Sequence, residues 1–192
     1  MTRKHAKFLP LAVAATVAAA LQIYPAGVFS GLELATSTAY AAAEHSEFPP
    51  AGDWRTISDD ALGFKIDYPG NIFHRVERDD AVSGHVLLSD DWQARLMIAA
   101  FDNDLDSSLR DYRKHVLQSS YAGSDIDYAP VRRSWFVLSG TREGTEFYER
   151  VSFTCSNSRI TSWAMLYPYA QRNYYNRVLE QIARTFRPSR VC

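Results

Sequence analysis

A chain of 192 residues, 46% apolar and 22% charged with a formal net charge of −1, carries enough apolar side chain for one sizeable core. Its basic residues are mostly arginines spread among acids, which excludes the concentrated cationic face that a nucleic-acid partner requires.

Residues 1–7 are basic, and the 22 residues from Phe8 to Phe29 carry no charge. Basic, then apolar, then small is the order of an export signal. Two A-x-A sites, Ala39-Tyr40-Ala41 and Ala41-Ala42-Ala43, place a cut after Ala41 or Ala43, ahead of the polar Glu44-His45-Ser46-Glu47. The apolar run is also long enough to cross a bilayer as a helix. Residues 1–43 are therefore a signal peptide or an uncleaved N-terminal anchor, and the anchor is the one route to a membrane that the sequence offers. No Cys lies near the cut, which speaks against a lipoprotein. Beyond residue 43 the chain keeps 18 basic and 21 acidic residues, a net charge of −3. Residues 44–53 form a linker, and residues 54–192 form a single domain that works in the periplasm or is secreted.

A first strand is expected near Trp54 to Ile57. In residues 63–69 Phe64, Ile66 and Tyr68 alternate with Lys65 and Asp67, the period of a half-buried strand that Pro69 ends. His85 to Leu88, the turn Ser89-Asp90-Asp91, and Trp92 to Phe101 read as a hairpin. The acidic stretch Asp102 to Ser107 then suits a helix start, and Leu109, Tyr112, Val116 and Leu117 form one apolar stripe that Ala122-Gly123-Ser124 closes. Ile126 to Val131, Ser134 to Gly140, Thr145 to Cys155 and Arg159 to Tyr167 are four more strands joined by short turns, hence antiparallel neighbours. Tyr175, Val178, Leu179, Ile182 and Phe186 mark a second helix before Pro188. Strands such as residues 96–100 and 163–166 are apolar on both faces, so the sheet is covered on both sides. The fold class is α+β: an antiparallel sheet of about six to eight strands covered by two main helices.

Residues 63–69 (GFKIDYP), 135–140 (WFVLSG) and the helix ending Ile182-Ala183-Arg184-Thr185-Phe186 resemble the PsbP-like fold. That fold is shared by photosystem extrinsic subunits and by bacterial envelope proteins of the DcrB type, and the likeness is greatest to uncharacterised exported proteins of Gram-negative bacteria. The resemblance implies a layered sandwich and a non-catalytic, accessory or binding role. It supplies no catalytic residue.

The two cysteines, Cys155 and Cys192, are an even number in an oxidising compartment and are expected to pair. Closing that loop is worth about 3–4 kcal/mol in the chain-entropy view. Asp102, Asp104 and Asp106 have the spacing that opens a calcium loop, but Ser107 and Arg113 stand where such a loop needs Gly and Glu, and helix capping explains the acids. Of the histidines only His74 and His85 look clustered, without zinc-ligand spacing. No metal or cofactor is expected. Ser83 and Ser139 lack the G-x-S-x-G elbow. A small secreted serine hydrolase using Ser139 or Ser83 with His85 is the alternative function. The favoured surface is aromatic. Tyr167, Tyr169, Arg172, Tyr174 and Arg177 gather stiff rings with polar ends at the start of the last helix, suited to an envelope protein or a cell-wall component.

Overall fold

The structure, a computed structural model, describes residues 53–60, 63–79 and 84–188. The expected leader, most of the linker, Ser83 and Cys192 lie outside them.

The first half of the domain holds five strands: β1 (Trp54–Asp59), β2 (Phe64–Pro69), β3 (Phe73–Asp79), β4 (Gly84–Ser89) and β5 (Arg95–Asp102). Helix α1 (Leu109–Ser119) follows. The second half holds β6 (Asp125–Tyr128), β7 (Trp135–Arg142), β8 (Thr145–Thr154), β9 (Arg159–Pro168), α2 (Arg172–Thr185) and a two-residue β10 (Arg187–Pro188). Seven strands form one antiparallel sheet in the order β3-β4-β5-β9-β8-β7-β6, and a second sheet has the order β1-β2-β10. The α+β class and the antiparallel neighbours agree with the sequence reading. Three details differ.

β3 was not anticipated. It is an edge strand whose sequence, Phe73-His74-Arg75-Val76-Glu77-Arg78-Asp79, is mostly charged, which suits an edge and hides the apolar signal. β10 is too short to read and exists because the chain leaving α2 returns along β2, pairing Arg187 with Lys65. β5 begins at Arg95 rather than Trp92, because Trp92 sits at φ 62° inside the turn and 53% exposed.

Alternation decides the layers. On the central strand β9, Trp163, Met165 and Tyr167 join Leu96 and Ile98 of β5, Ile66 of β2 and Tyr175, Val178 and Ile182 of α2 in one core cluster. Ile160, Ala164 and Leu166 of β9 instead join Phe136 and Leu138 of β7, Phe147, Val151 and Phe153 of β8 and Tyr112 and Val116 of α1 in a second. The seven-stranded sheet thus has α1 on one face and α2 with the small sheet on the other. Thr185 ties the end of α2 to β2, its Oγ1 accepting from the Asp67 amide at 3.0 Å.

The turns follow local chemistry. Glu143 and Gly144 both have positive φ, 51° and 78°, as the two-residue β7–β8 hairpin requires, and Gly144 adopts it without steric cost. Helix α1 is capped by Ser108, not by the acids 102–106. Ser108 Oγ accepts from the Asp111 amide at 3.2 Å and donates to the Asp111 carboxylate at 2.6 Å. Asn103 is the residue that organises the preceding loop. It is 7% exposed, and its side chain spans Ser107 and the Asn157 carbonyl at 2.8–3.0 Å.

Candidate functional site

The aromatic group at the start of α2 is divided by the end of β9. Tyr167 is still in the strand and points into the α2-side core. It is 1% exposed, lies 5.3 Å from the Tyr175 ring and donates its hydroxyl to Asn176 Oδ1 at 2.6 Å. It is therefore withdrawn from the surface, for the same alternation that buries Trp163 and Met165. Burial raises its phenol pKa, as it does for Tyr174, and pushes Tyr175 to about 12.

Beyond Pro168 the chain makes a single 3₁₀ turn, Tyr169–Gln171, and the side chains turn outward. The Tyr169 amide donates to the Gly144 carbonyl at 2.8 Å, which fixes this turn against the β7–β8 hairpin. Tyr169 is 44% exposed. The Arg172 guanidinium lies over its ring, 4.4 Å from the centroid, and hydrogen-bonds its hydroxyl. Tyr174 is half-buried against the edge of Tyr175 at 5.1 Å, and Arg177 is exposed on the next turn of α2. Tyr169 also borders an open depression of about 780 Å³ with Asp125, Asp127, Arg142 and Glu143 on its walls. What the structure assembles is a Tyr169–Arg172 pair on a fixed corner, flanked by Tyr174 and Arg177.

The other groups singled out in the sequence do not converge. His85 is on β4 and Ser139 on β7, with β5, β9 and β8 between them. Four strand spacings of about 4.8 Å put them far beyond hydrogen-bond reach, so a Ser139–His85 hydrolase pair is overturned. His85 instead faces Asp59 at 3.7 Å and the edge of Phe64. His74 is not beside it: in the β3–β4 register His85 opposes Arg78, while His74 lies at the other end of the hairpin, 3.3 Å from Asp90. Of the three acids before α1, Asp102 lies 3.6 Å from Arg159. Among the described residues no three potential metal ligands come together. Cys155 opens a turn after β8 and is not a free thiol; Cys192 lies outside the described residues.

Two features escaped the sequence reading. One is Glu149, 4% exposed in the α1-side core, where Ser162 Oγ donates to its Oε1 at 2.6 Å and Tyr121 is a further hydrogen-bonding partner. Burial raises its pKa, opposed in part by those two hydrogen bonds. The signal was available, since Phe147, Glu149, Val151 and Phe153 share one face of a strand. The other is the pairing of Trp135 with Arg150, which depends on strand register and has no local signature.

No family model matches the chain, and no curated protein is similar to it in sequence. Solved structures give a likeness of fold. The solution structure of cyanobacterial PsbP (CyanoP) from Synechocystis sp. PCC 6803 has a TM-score of 0.54 at 14% identity, covering 86% of this chain and 99% of that one. The Ran-binding protein Mog1p of Saccharomyces cerevisiae has a TM-score of 0.49 at 9% identity, covering 70% and 95% respectively. A protein of Bacteroides thetaiotaomicron has a TM-score of 0.43 at 16% identity, covering 71% and 49%. The first of these carries the conclusion: the fold is PsbP-like. None bears on the narrower resemblance to DcrB-type proteins.

Proposed function

We propose that this is an exported, non-catalytic binding or accessory protein of the cell envelope, periplasmic or secreted. Its Tyr169–Arg172 corner, with Tyr174 and Arg177, meets an envelope protein or a cell-wall component. The observation that carries the proposal is the exposed Tyr169 ring, stacked by Arg172 and fixed to Gly144. A large ring that is already immobilised loses little conformational freedom on binding. Three further points support the reading. The order of residues 1–43 suits export. The fold shared with cyanobacterial PsbP suits an accessory role. The described serine offered as a nucleophile, Ser139, lies four strands away from His85. No described helix is long and apolar enough to cross a membrane. Pairing of Cys155 with Cys192 belongs to the same proposal, and mass spectrometry of the unreduced protein tests it: two alkylatable thiols would refute the crosslink.

The test of function is recovery of partners from an envelope extract by the intact protein and by the double variant Tyr169→Ala, Arg172→Ala. Loss of specific partners from a variant that stays folded is the expected result. Identical recovery by both would remove the Tyr169 corner from the proposal.

A further inference from the structure

At the far end of the β7–β8 hairpin from Tyr169 lies a cavity of about 700 Å³. Trp135 of β7, Arg150 and Ser152 of β8, Phe186 and Pro188 after α2, and the Cys155–Asn157 turn wall it. That is the volume of a small-molecule site.

Among the described residues that line it the charged ones are Arg150 and Arg187. The Arg150 guanidinium is held between two rings, 4.8 Å from the Trp135 centroid and 5.6 Å from that of Phe186. Burial works against its charge, Tyr148 offsets that in part, and the neighbouring Arg187 adds to it. Its Nε is buried and donates to nothing.

Ser152 supplies an independent sign. It is 4% exposed, yet its Oγ has no hydrogen-bond partner. In the β8–β9 register Ser152 opposes Thr161 and Arg150 opposes Trp163, and Thr161 Oγ1 and Trp163 Nε1 are also buried and unbonded. Opposed residues of an antiparallel pair share a face. Four unsatisfied polar groups therefore occupy two successive rungs on the α2 side of the sheet. Native interiors satisfy nearly all such groups, so a cluster of orphans calls for a partner. The mouth is built with some strain, since Cys155, Ser156 and Asn157 take φ of 53°, 55° and 74° in succession. Asn103 pins that turn by donating its backbone and side-chain N–H groups to the Ser158 and Asn157 carbonyls.

Two arginines exclude a cation, and the ring walls disfavour a fully hydrated inorganic ion. We propose that the cavity binds a small organic carboxylate, its charge received by Arg150 and Ser152 and its apolar body lying against Trp135 and Phe186. This site is separate from the Tyr169 corner, so either can fail without the other.

Benzoate and its uncharged analogue benzamide, titrated into the full chain by saturation-transfer NMR, test it. Saturable benzoate binding is expected, with benzamide weaker by about tenfold or more. Arg150→Gln should abolish that preference and Arg150→Lys should keep part of it, while Ser152→Ala weakens benzoate several-fold. Circular dichroism establishes that each variant is folded, and the Lys variant keeps the test decisive if the Gln variant is not. Absence of saturable binding, equal binding of the two probes, or a preference that survives in folded Arg150→Gln would each overturn the proposal. Binding that appears only after reduction would overturn it too, by giving the space to the chain's own end.

Discussion

Along β8 and β9 the two faces of the seven-stranded sheet carry buried polar groups of two kinds. On the α1 face Glu149 is sealed from water, and its carboxylate is matched by Ser162 and Tyr121. On the α2 face Arg150, Ser152, Thr161 and Trp163 each leave a buried polar atom unmatched, and Arg150 and Ser152 line an open cavity. Apart from Tyr121, both sets come from the same two strands, β8 and β9, one residue out of phase. A satisfied buried network fixes a fold, whereas an unsatisfied one next to open space is poised for a ligand. The strand period of two is what lets one hairpin carry both.

The comparison can be broken first at its hydrophobic base. Trp163→Ala on the α2 face and Phe147→Ala on the α1 face should each cost about 3–5 kcal/mol in urea denaturation, because both are fully packed. A much smaller loss at Trp163 would mean that the α2 side is a loose cover and not a core.

The serine pair sharpens the contrast. Ser162→Ala should cost about 1–3 kcal/mol, since it leaves a buried carboxylate oxygen unpaired. Ser152→Ala, removing a hydroxyl that bonds to nothing, should change stability by less than about 0.5 kcal/mol. Equal losses at both positions would erase the distinction.

Next comes pH. Burial raises the Glu149 pKa in the folded state, so the native protein holds that proton more tightly than the unfolded chain. The wild type should match Glu149→Gln most closely below the ordinary glutamate pKa of about 4.3. As pH rises from there toward the raised native value, the wild type should lose stability relative to Glu149→Gln by up to about 1.4 kcal/mol per pH unit. A wild type that gains on the variant as pH rises would contradict a raised native pKa. The smallest effect belongs to the pair of exposed Asp102 and half-buried Arg159. Asp102→Asn should shift stability by less than about 0.5 kcal/mol, and a larger loss would return those acids to a structural role.

How much of this was legible depended on the range of the forces. The β2 alternation, the α1 stripe and the covered sheet were readable because they follow from local periodicity. Glu149 was readable in the same way, since it shares a strand face with Phe147, Val151 and Phe153. β10 and the charged edge strand β3 were not, for their pairing is imposed by tertiary structure. The acids before α1 drew the capping assignment, although Ser108, directly ahead of the helix, makes the bond. At the aromatic surface one residue of phase separates buried Tyr167 from the exposed corner beyond Pro168. The distance between His85 and Ser139 depends on strand order, which no local pattern encodes.

The central claim, a dry matched network on one face and an unmatched cluster beside a cavity on the other, is tested most directly by a high-resolution crystal structure of the full chain. The account predicts ordered solvent or an anion within hydrogen-bond distance of Arg150 Nε and Ser152 Oγ, and no solvent touching Glu149. Water against the Glu149 carboxylate, or Arg150 and Ser152 satisfied by the protein's own groups, would contradict it.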